Sequence, residues 1–199
     1  QKKIETLFRR RLAIESMRRA ALIVTPSHAM SEMIKKSCPE LKHKKFKTLY
    51  HGFSKSSLAC NLDDKYKKLL SASCLKMLYP THLASHKGFE ILFKMLACLK
   101  EEGMDFILFT TIDYKDWPEG FRRYKQQVHE LGLEDQVIFM GRVPQDQMGA
   151  LYEKCDLMVY PSLCESFGFS MIEAIGHGMP IVAAGTAVNK EICGDGALY

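Results

Sequence analysis

Two glutamates eight positions apart are the residues whose type and spacing best suit chemistry on a ligand. Glu165 precedes the segment Phe167-Gly168-Phe169, and Glu173 follows it, within the stretch CESFGFSMIE. That segment is predicted to be the first turn of a helix, where backbone N–H groups have no partner within the helix. Gly168 lacks a Cβ atom, so a phosphate or a sugar could approach the backbone closely.

The second glutamate of the pair suits a different group of the same ligand. Glu173 should fall about a turn and a half into the helix, where a carboxylate can accept two hydrogen bonds from a vicinal diol. One carboxylate for a sugar, a helix N-terminus for phosphate and a second carboxylate for ribose together indicate a nucleotide sugar. The alternative is two surface glutamates beside core phenylalanines, and we expect Phe169 in particular to be partly core.

A lysine at the predicted start of another helix is the next candidate. In His86-Lys87-Gly88 the lysine lies where free N–H groups and the helix dipole already favour an anion, which suits a phosphate. Its alternative interpretation is an ordinary exposed lysine. The glycine-rich patterns of dinucleotide-binding and P-loop proteins are absent, which argues against a nicotinamide enzyme or a P-loop enzyme.

These residues lie in loops between elements that alternate regularly along most of the chain. Short apolar runs predict strands at 75–80, 106–110, 136–140, 157–161 and 181–184, and the segments between them predict helices at 88–101, 119–132, 145–154 and 168–176. Repeated strand–helix–strand units predict an α/β fold with a parallel sheet covered on both faces. Ligands of such sheets bind beyond the carboxyl ends of the strands, here in loops 81–87, 111–117, 141–144, 162–167 and 185–190.

The first quarter of the chain differs from the rest. It predicts a helix at 4–20, a strand at 21–25, a helix from Ser27 to near Cys38 and a strand at 46–50, followed by a polar stretch at 55–72. We therefore predict two units, residues 1–54 and residues 55–199. Residues 1–50 hold 13 Lys and Arg against 4 Asp and Glu, which could serve an anionic membrane, a phosphorylated partner or only a solvated helix face. The missing interleaved aromatic residues argue against nucleic acid.

Composition indicates a globular protein in a reducing compartment. Hydrophobic residues make up 47% of the 199 residues, and no apolar run approaches the twenty needed to span a membrane. The seven cysteines are scattered and form no C-x-x-C pair, which favours free thiols and a cytoplasmic location. The chain begins at Gln1 within a predicted helix, so we expect a piece of a longer protein.

With these motifs in place, PSLCESFGFSMIEAIGHGMPIVA resembles the E-x7-E signature of the retaining glycosyltransferases of family 4, which have the GT-B fold. Glu165 and Glu173 match the paired acids and Gly168 the motif glycine. Upstream, Ile138 to Val143 looks like the strand and glycine turn that meet the nucleotide base in that family. Lys87 matches the phosphate lysine.

The resemblance implies a Rossmann-like, C-terminal half of a GT-B fold that binds the donor, a nucleotide diphosphate sugar. Glu165 would be the catalytic-site residue that contacts the sugar. Contacts with the rest of the donor would come from Lys87, His82, Arg142, Val143, Phe167, Gly168, Phe169, Ser170 and Glu173. It implies transfer of a hexose-type sugar with retention of configuration, without metal or cofactor.

The resemblance also implies what this chain would lack. A glycan or lipid-linked acceptor would be bound by an N-terminal domain, so we expect the isolated chain to bind donor weakly and to transfer no sugar. Peripheral membrane contact would fit a lipid-linked acceptor, and no nucleic acid partner is expected. His82 stands where many members have arginine. That departure leaves open a non-catalytic GT-B-like module that binds nucleotide or acts as a scaffold.

Overall fold

The structure, a computed structural model, describes residues 2–53, 62 and 64–199. It divides into two compact units, residues 1–52 and residues 53–199. The predicted boundary between residues 54 and 55, and the first part of the polar stretch around it, lie outside the described residues, so the boundary stays a prediction.

The first unit is a small helix–strand–helix–strand arrangement. It contains α1 (Lys2–Arg19), β1 (Ile23–Thr25), α2 (His28–Ser37) and β2 (Phe46–Thr48), with a 3-10 turn at Pro39–Leu41. The two strands pair in parallel, with Ile23 opposite Phe46. Ser27 caps α2 by accepting a hydrogen bond from the Met30 N–H at 3.1 Å, as its position before the helix predicts.

The second unit is an α/β domain built on one five-stranded sheet. Its strands are β3 (Leu75–Tyr79), β4 (Phe106–Thr110), β5 (Val137–Phe139), β6 (Leu157–Tyr160) and β7 (Ile181–Ala183). Its helices are α3 (Asp64–Leu70), α4 (Phe89–Glu101), α5 (Pro118–Glu130), α6 (Gln145–Lys154), α7 (Phe169–Gly176) and α8 (Ala187–Cys193). The strand order is β5-β4-β3-β6-β7, and all neighbours are parallel. The predicted α/β fold with a parallel, Rossmann-like sheet flanked by helices is confirmed.

Packing of aromatic and aliphatic side chains fixes this sheet between its helices. Tyr79 on β3 and Phe89 and Phe93 on α4 have no exposed surface, and Tyr124 on α5 packs on both phenylalanines with ring centroids 5.2 and 6.0 Å apart. Aromatic contacts of this kind add to the free energy gained by burial. The core therefore holds the start of α4, which begins two residues after Lys87, against the end of β3.

The strand order creates a crevice at one place. From β3 the chain proceeds outward to β4 and β5, whereas β6 lies on the other side of β3 and leads to β7. Where the order reverses, the loops after β3 and β6 diverge and leave space beyond the carboxyl ends of these strands. Lys87 lies in the loop after β3, and Glu165 lies in the loop after β6.

Candidate functional site

A cavity of about 500 Å³ opens beyond the carboxyl ends of the strands of the second unit. Four of the five predicted loops line it, and the loop at 185–190 does not. The cavity is lined by nine of the ten predicted site residues: His82, Lys87, Arg142, Val143, Glu165, Gly168, Phe169, Ser170 and Glu173. The structure thus brings together side chains that are up to 91 positions apart in sequence, from His82 to Glu173.

An ion pair joins two of the loops that line the cavity. The Lys87 Nζ atom lies 2.6 Å from Glu165 Oε1, and the side chains are only 6% and 13% exposed. Hydrogen bonds to backbone carbonyls hold both loops: the Tyr79 hydroxyl donates to the Lys87 carbonyl at 2.8 Å, and the Leu163 N–H donates to the His86 carbonyl at 2.9 Å. The positions of these two charges are therefore set by the backbone rather than by side-chain rotation alone.

Gly88 brings the start of α4 against the loop after β6. It has a φ of 70°, and a Cβ atom there would overlap the carbonyl oxygen of Pro161. An L-residue at this position would combine left-handed backbone strain with a backbone clash. The adjacent Lys87 can reach Glu165 because the two segments approach this closely.

The ion pair keeps Glu165 charged in a part-buried place. Burial alone would raise the pKa of the Glu165 carboxyl, but hydrogen bonds, first among them that of Lys87, together with the positive charge of Lys87 leave the pKa below its usual value. Burial, together with the negative charge of Glu165, raises the pKa of the neighbouring Tyr160 hydroxyl. Glu165 is thus an anion at neutral pH, while Tyr160 remains a neutral hydroxyl.

The N-terminus of α7 faces the same cavity. Gly168 precedes the helix with a φ of 90°, and the Ser170 hydroxyl donates to the Pro80 carbonyl at 3.0 Å, which ties the first turn to the end of β3. The expectation that Phe169 is partly core was wrong: Phe169 is 55% exposed and lines the cavity. Phe167 is the core residue, at 1% exposure, and its side chain does not line the cavity.

The second glutamate is held by the neighbouring helix. Glu173 accepts a hydrogen bond from Gln145 Nε2 at 3.0 Å and another from the Tyr152 hydroxyl at 2.6 Å. Burial and the charge of Glu173 raise the pKa of Tyr152, so this hydroxyl remains a donor. The carboxylate is therefore oriented before any ligand binds, and its remaining lone pairs can accept from hydroxyl groups.

A second ion pair spans the loops after β4 and β5. Arg142 donates to Asp116 Oδ1 at 2.8 Å, and Asp116 Oδ2 accepts from the Leu83 N–H at 3.4 Å. Burial would raise the pKa of Asp116, but these hydrogen bonds lower it. His82 lies in the same wall, and partial burial together with the positive charge of Lys87 lowers its pKa, so its imidazole is neutral at pH 7.

Comparison with known proteins identifies the family of this chain. A model of the family described as "Glycosyl transferases group 1" matches residues 63–197. The chain belongs to the glycosyl transferases group 1. The match covers the whole parallel sheet and every residue that lines the cavity. The predicted group 1 family and the predicted C-terminal half of a GT-B fold are confirmed.

Relatives found by sequence similarity agree with this family. The O-antigen chain mannosyltransferase RfbU of Salmonella typhimurium is 26% identical over 197 residues, which are 98% of this chain and 51% of RfbU. The 2-deoxystreptamine glucosyltransferase of Streptomyces kanamyceticus is 32% identical over 103 residues, 52% of this chain and 26% of that protein. The chain thus spans about half of the first relative and less of the second.

The fold is also that of a solved structure. Anabaena Alr3699/HepE in complex with UDP-glucose matches with a TM-score of 0.75 and 24% identity, over 91% of this chain and 50% of that one. At this identity the likeness concerns the fold.

Several residues of this group 1 chain line the cavity without having been predicted. Thr81 and Thr111 exchange two hydrogen bonds at 2.9 and 3.0 Å between the loops after β3 and β4, and Asp116, Gln145 and Tyr152 provide the contacts described above. The two threonines and the aspartate lie in loops at the predicted ligand edge of the sheet, so their positions in the sequence could have identified them as site residues. Gln145 and Tyr152 carry no such signal, because only the packing of α6 brings them to Glu173.

Neither metal ligands nor a membrane span are found in the described part of the chain. No group of three or more His, Cys, Asp or Glu residues among residues 2–53, 62 and 64–199 is placed to hold a metal ion. Within the same ranges no helix is both long and apolar enough to cross a membrane. The six cysteines among these residues are all free thiols.

Proposed function

We propose that this chain is the donor-binding part of a glycosyltransferase that moves a hexose-type sugar from a nucleotide diphosphate sugar to an acceptor, with retention of configuration. The observation that carries the proposal is the shared cavity, in which the buried Lys87–Glu165 pair, the α7 N-terminus and the oriented Glu173 face one space. A cation and a helix N-terminus suit a diphosphate, and carboxylates suit hydroxyl groups.

Each group has a role that follows from its charge. Lys87 and the N-terminus of α7 stabilise negative charge that develops on the diphosphate as its bond to the sugar breaks. Glu165 accepts hydrogen bonds from the sugar hydroxyls, and Glu173 accepts them from the ribose. The backbone near Arg142 and Val143 contacts the base. We propose no metal and no cofactor, because the lysine and the helix dipole can neutralise the diphosphate.

Retention and a hexose-type donor are supported by the resemblance of the paired-acid segment to family 4 retaining enzymes. Names of relatives such as mannosyltransferase and glucosyltransferase are in line with a hexose. We propose that a glycan or lipid-linked acceptor binds to a region that this chain does not include, so the chain alone binds donor weakly and transfers no sugar. Transfer by the isolated chain would contradict that part of the proposal.

We further propose that the protein acts in the cytoplasm, at a membrane surface reached through α1. This helix exposes the side chains of Leu7, Phe8 and Leu12, and it also contains five arginines. Clustered arginines favour anionic headgroups, and the exposed apolar side chains add to the contact. Binding of the chain to phosphatidylserine vesicles should fall with added salt and on replacing the three apolar residues with serine. Binding that ignores both changes would contradict the role of α1.

The experiment that tests the donor site is a calorimetric titration of this chain with UDP, GDP and ADP and their hexose conjugates. Lys87→Ala and Glu173→Ala remove the two predicted charged contacts. Lys94→Ala and Glu101→Ala are matched controls on exposed positions of α4 outside the cavity. We expect one nucleotide to bind and each site variant to lose about tenfold or more in affinity, the usual effect of a charged hydrogen bond.

The controls should bind like the wild type. Absence of binding by every nucleotide, or equal losses in site variants and controls, would contradict the donor site. A non-catalytic scaffold would then be the better description of the chain.

A further inference from the structure

The cavity already contains an anion for each of its permanent cations. Lys87 contacts Glu165, and Arg142 contacts Asp116. Among the described residues that line the cavity these two are the only side chains that are cationic at neutral pH, since His82 is neutral there. A diphosphate that enters this space must therefore share Lys87 with a carboxylate.

We propose that Glu165 makes the site discriminate between the nucleotide sugar and the nucleoside diphosphate left after transfer, and that it thereby favours release of that product. The inference rests on the proposed function and adds a second role to Glu165, beside its contact with the sugar.

The first step of the argument is that Glu165 cannot easily avoid the diphosphate. Its side chain is 13% exposed, and it lies 2.6 Å from the ammonium group that the phosphate oxygens would also contact. The hydrogen bonds from the Leu163 N–H to the His86 carbonyl and from the Tyr79 hydroxyl to the Lys87 carbonyl hold the two loops in place. Two anions that contact one buried cation repel each other more strongly than they would in water.

The second step is that the sugar compensates for this repulsion. Its hydroxyl groups can donate hydrogen bonds to the Glu165 carboxylate, and bonds to a charged acceptor are the strong ones. When the sugar has been transferred, these donors leave with it, while the diphosphate and the carboxylate remain close together. The repulsion between the diphosphate and the carboxylate is then no longer offset. The nucleoside diphosphate therefore binds less tightly than its contacts with Lys87 and the rest of the site would otherwise allow.

The third step concerns what else could neutralise Glu165. Tyr160 is a neutral hydroxyl whose pKa is raised by burial and by this same carboxylate, so it supplies no charge. Arg142 is 73% exposed and donates to Asp116 on the wall formed by the loops after β4 and β5. The repulsion between Glu165 and the diphosphate is therefore relieved chiefly by dissociation.

The test compares two affinities in the same variants. UDP is titrated beside UDP-glucose, and GDP beside GDP-mannose, without acceptor, into wild type, Glu165→Gln and Glu165→Asp. We expect Glu165→Gln to bind the diphosphate about tenfold more tightly than wild type, at the lower end of what a like-charge contact in a part-buried site costs. It should bind the nucleotide sugar no more tightly. The diphosphate affinity of Glu165→Asp should lie between those of wild type and Glu165→Gln, because the shorter side chain places the negative charge farther from the diphosphate.

The decisive quantity is the ratio of the two affinities, which a merely structural role of Glu165 would leave unchanged. Glu173→Gln is the control: it removes a carboxylate from the ribose side, so it should weaken diphosphate and nucleotide sugar by the same factor. An unchanged or weakened diphosphate affinity in Glu165→Gln, with wild type binding both ligands, would overturn this inference alone. If wild type binds neither, the proposed function fails as well.

Discussion

Replacing Gly88 with alanine should damage the site far more than the same change at Gly103, although both glycines flank α4. Both have a left-handed backbone, with φ of 70° and 77°. Left-handed strain costs an alanine about 1–2 kcal/mol at either position. At Gly103 the new Cβ would meet nothing within 4 Å, whereas at Gly88 it would overlap the Pro161 carbonyl oxygen and lie 3.0 Å from the carbonyl carbon. Forcing a packed backbone apart adds about 1–3 kcal/mol.

We therefore expect Gly88→Ala to lower the free energy of unfolding by about 2–5 kcal/mol in total and Gly103→Ala by about 1–2 kcal/mol. The clash also separates Lys87 from the loop that carries Glu165. Nucleotide affinity should fall at least about tenfold in Gly88→Ala, because a displacement of about 1 Å can cost a positioned group up to about a hundredfold.

Urea unfolding followed by tryptophan fluorescence measures the first quantity. The chain has a single tryptophan, Trp117, in the second unit, so the signal reports on the unit that carries the site. Calorimetric titration with nucleotide measures the second. Equal losses of stability and of affinity in Gly88→Ala and Gly103→Ala would show that the close approach to Pro161 does not position Lys87, and would refute the reasoning.

Three further predictions concern the walls of the cavity. The His82 imidazole is neutral at pH 7 in the free protein, and a bound diphosphate favours its protonated form. Nucleotide affinity should therefore rise severalfold as the pH falls from about 7.5 to 5.5. His82→Gln, which removes the titration of this imidazole alone, should show a smaller rise, and equal slopes would show that His82 does not contribute to the pH dependence. Tyr152→Phe removes a hydrogen bond to Glu173 and should weaken nucleotide binding about threefold to tenfold, whereas Tyr124→Phe, a control outside the cavity, should not; calorimetry decides. Although burial would raise its pKa, Asp116 has a lowered pKa in the folded state through its hydrogen bonds. It therefore contributes stability above its unfolded-state pKa, and this contribution is lost as the pH falls from about 5 to 3. In acid unfolding Asp116→Asn should lose less stability than wild type over that range, and a parallel loss would contradict the assignment.

Much of the fold was predictable because its strands are buried on both faces. Each strand reads as a short apolar run, and observed bounds such as Phe106–Thr110 lie within two residues of the predicted ones. The short helices α3 and α8 were not predicted. The first lies in a lysine-rich stretch, and its seven residues are too few for the apolar positions Tyr66, Leu69 and Leu70 to establish a helical period. The second has only seven residues, and its start is marked by Thr186, whose hydroxyl accepts from the Asn189 N–H at 3.2 Å.

The site was predictable where local sequence determines position. The spacing of Glu165 and Glu173 placed both beside the start of α7, and both line the cavity. The exposure of Phe169 was not predicted, because the left-handed backbone at Gly168 interrupts the periodicity from which burial is inferred. The ion pair of Lys87 with Glu165 joins residues 78 positions apart. It could not be predicted from local sequence, because only the tertiary fold brings these two side chains into contact.

The central claim is that one nucleotide sugar contacts Lys87, Glu165 and Glu173 together. A crystal structure of the chain with a bound nucleotide sugar, chosen from the titrations, tests it most directly. The account predicts the diphosphate between Lys87 and the start of α7, the sugar hydroxyls at Glu165 and the ribose diol at Glu173. A nucleotide bound outside this cavity, or one whose ribose lies at Glu165 and whose sugar lies at Glu173, would contradict it.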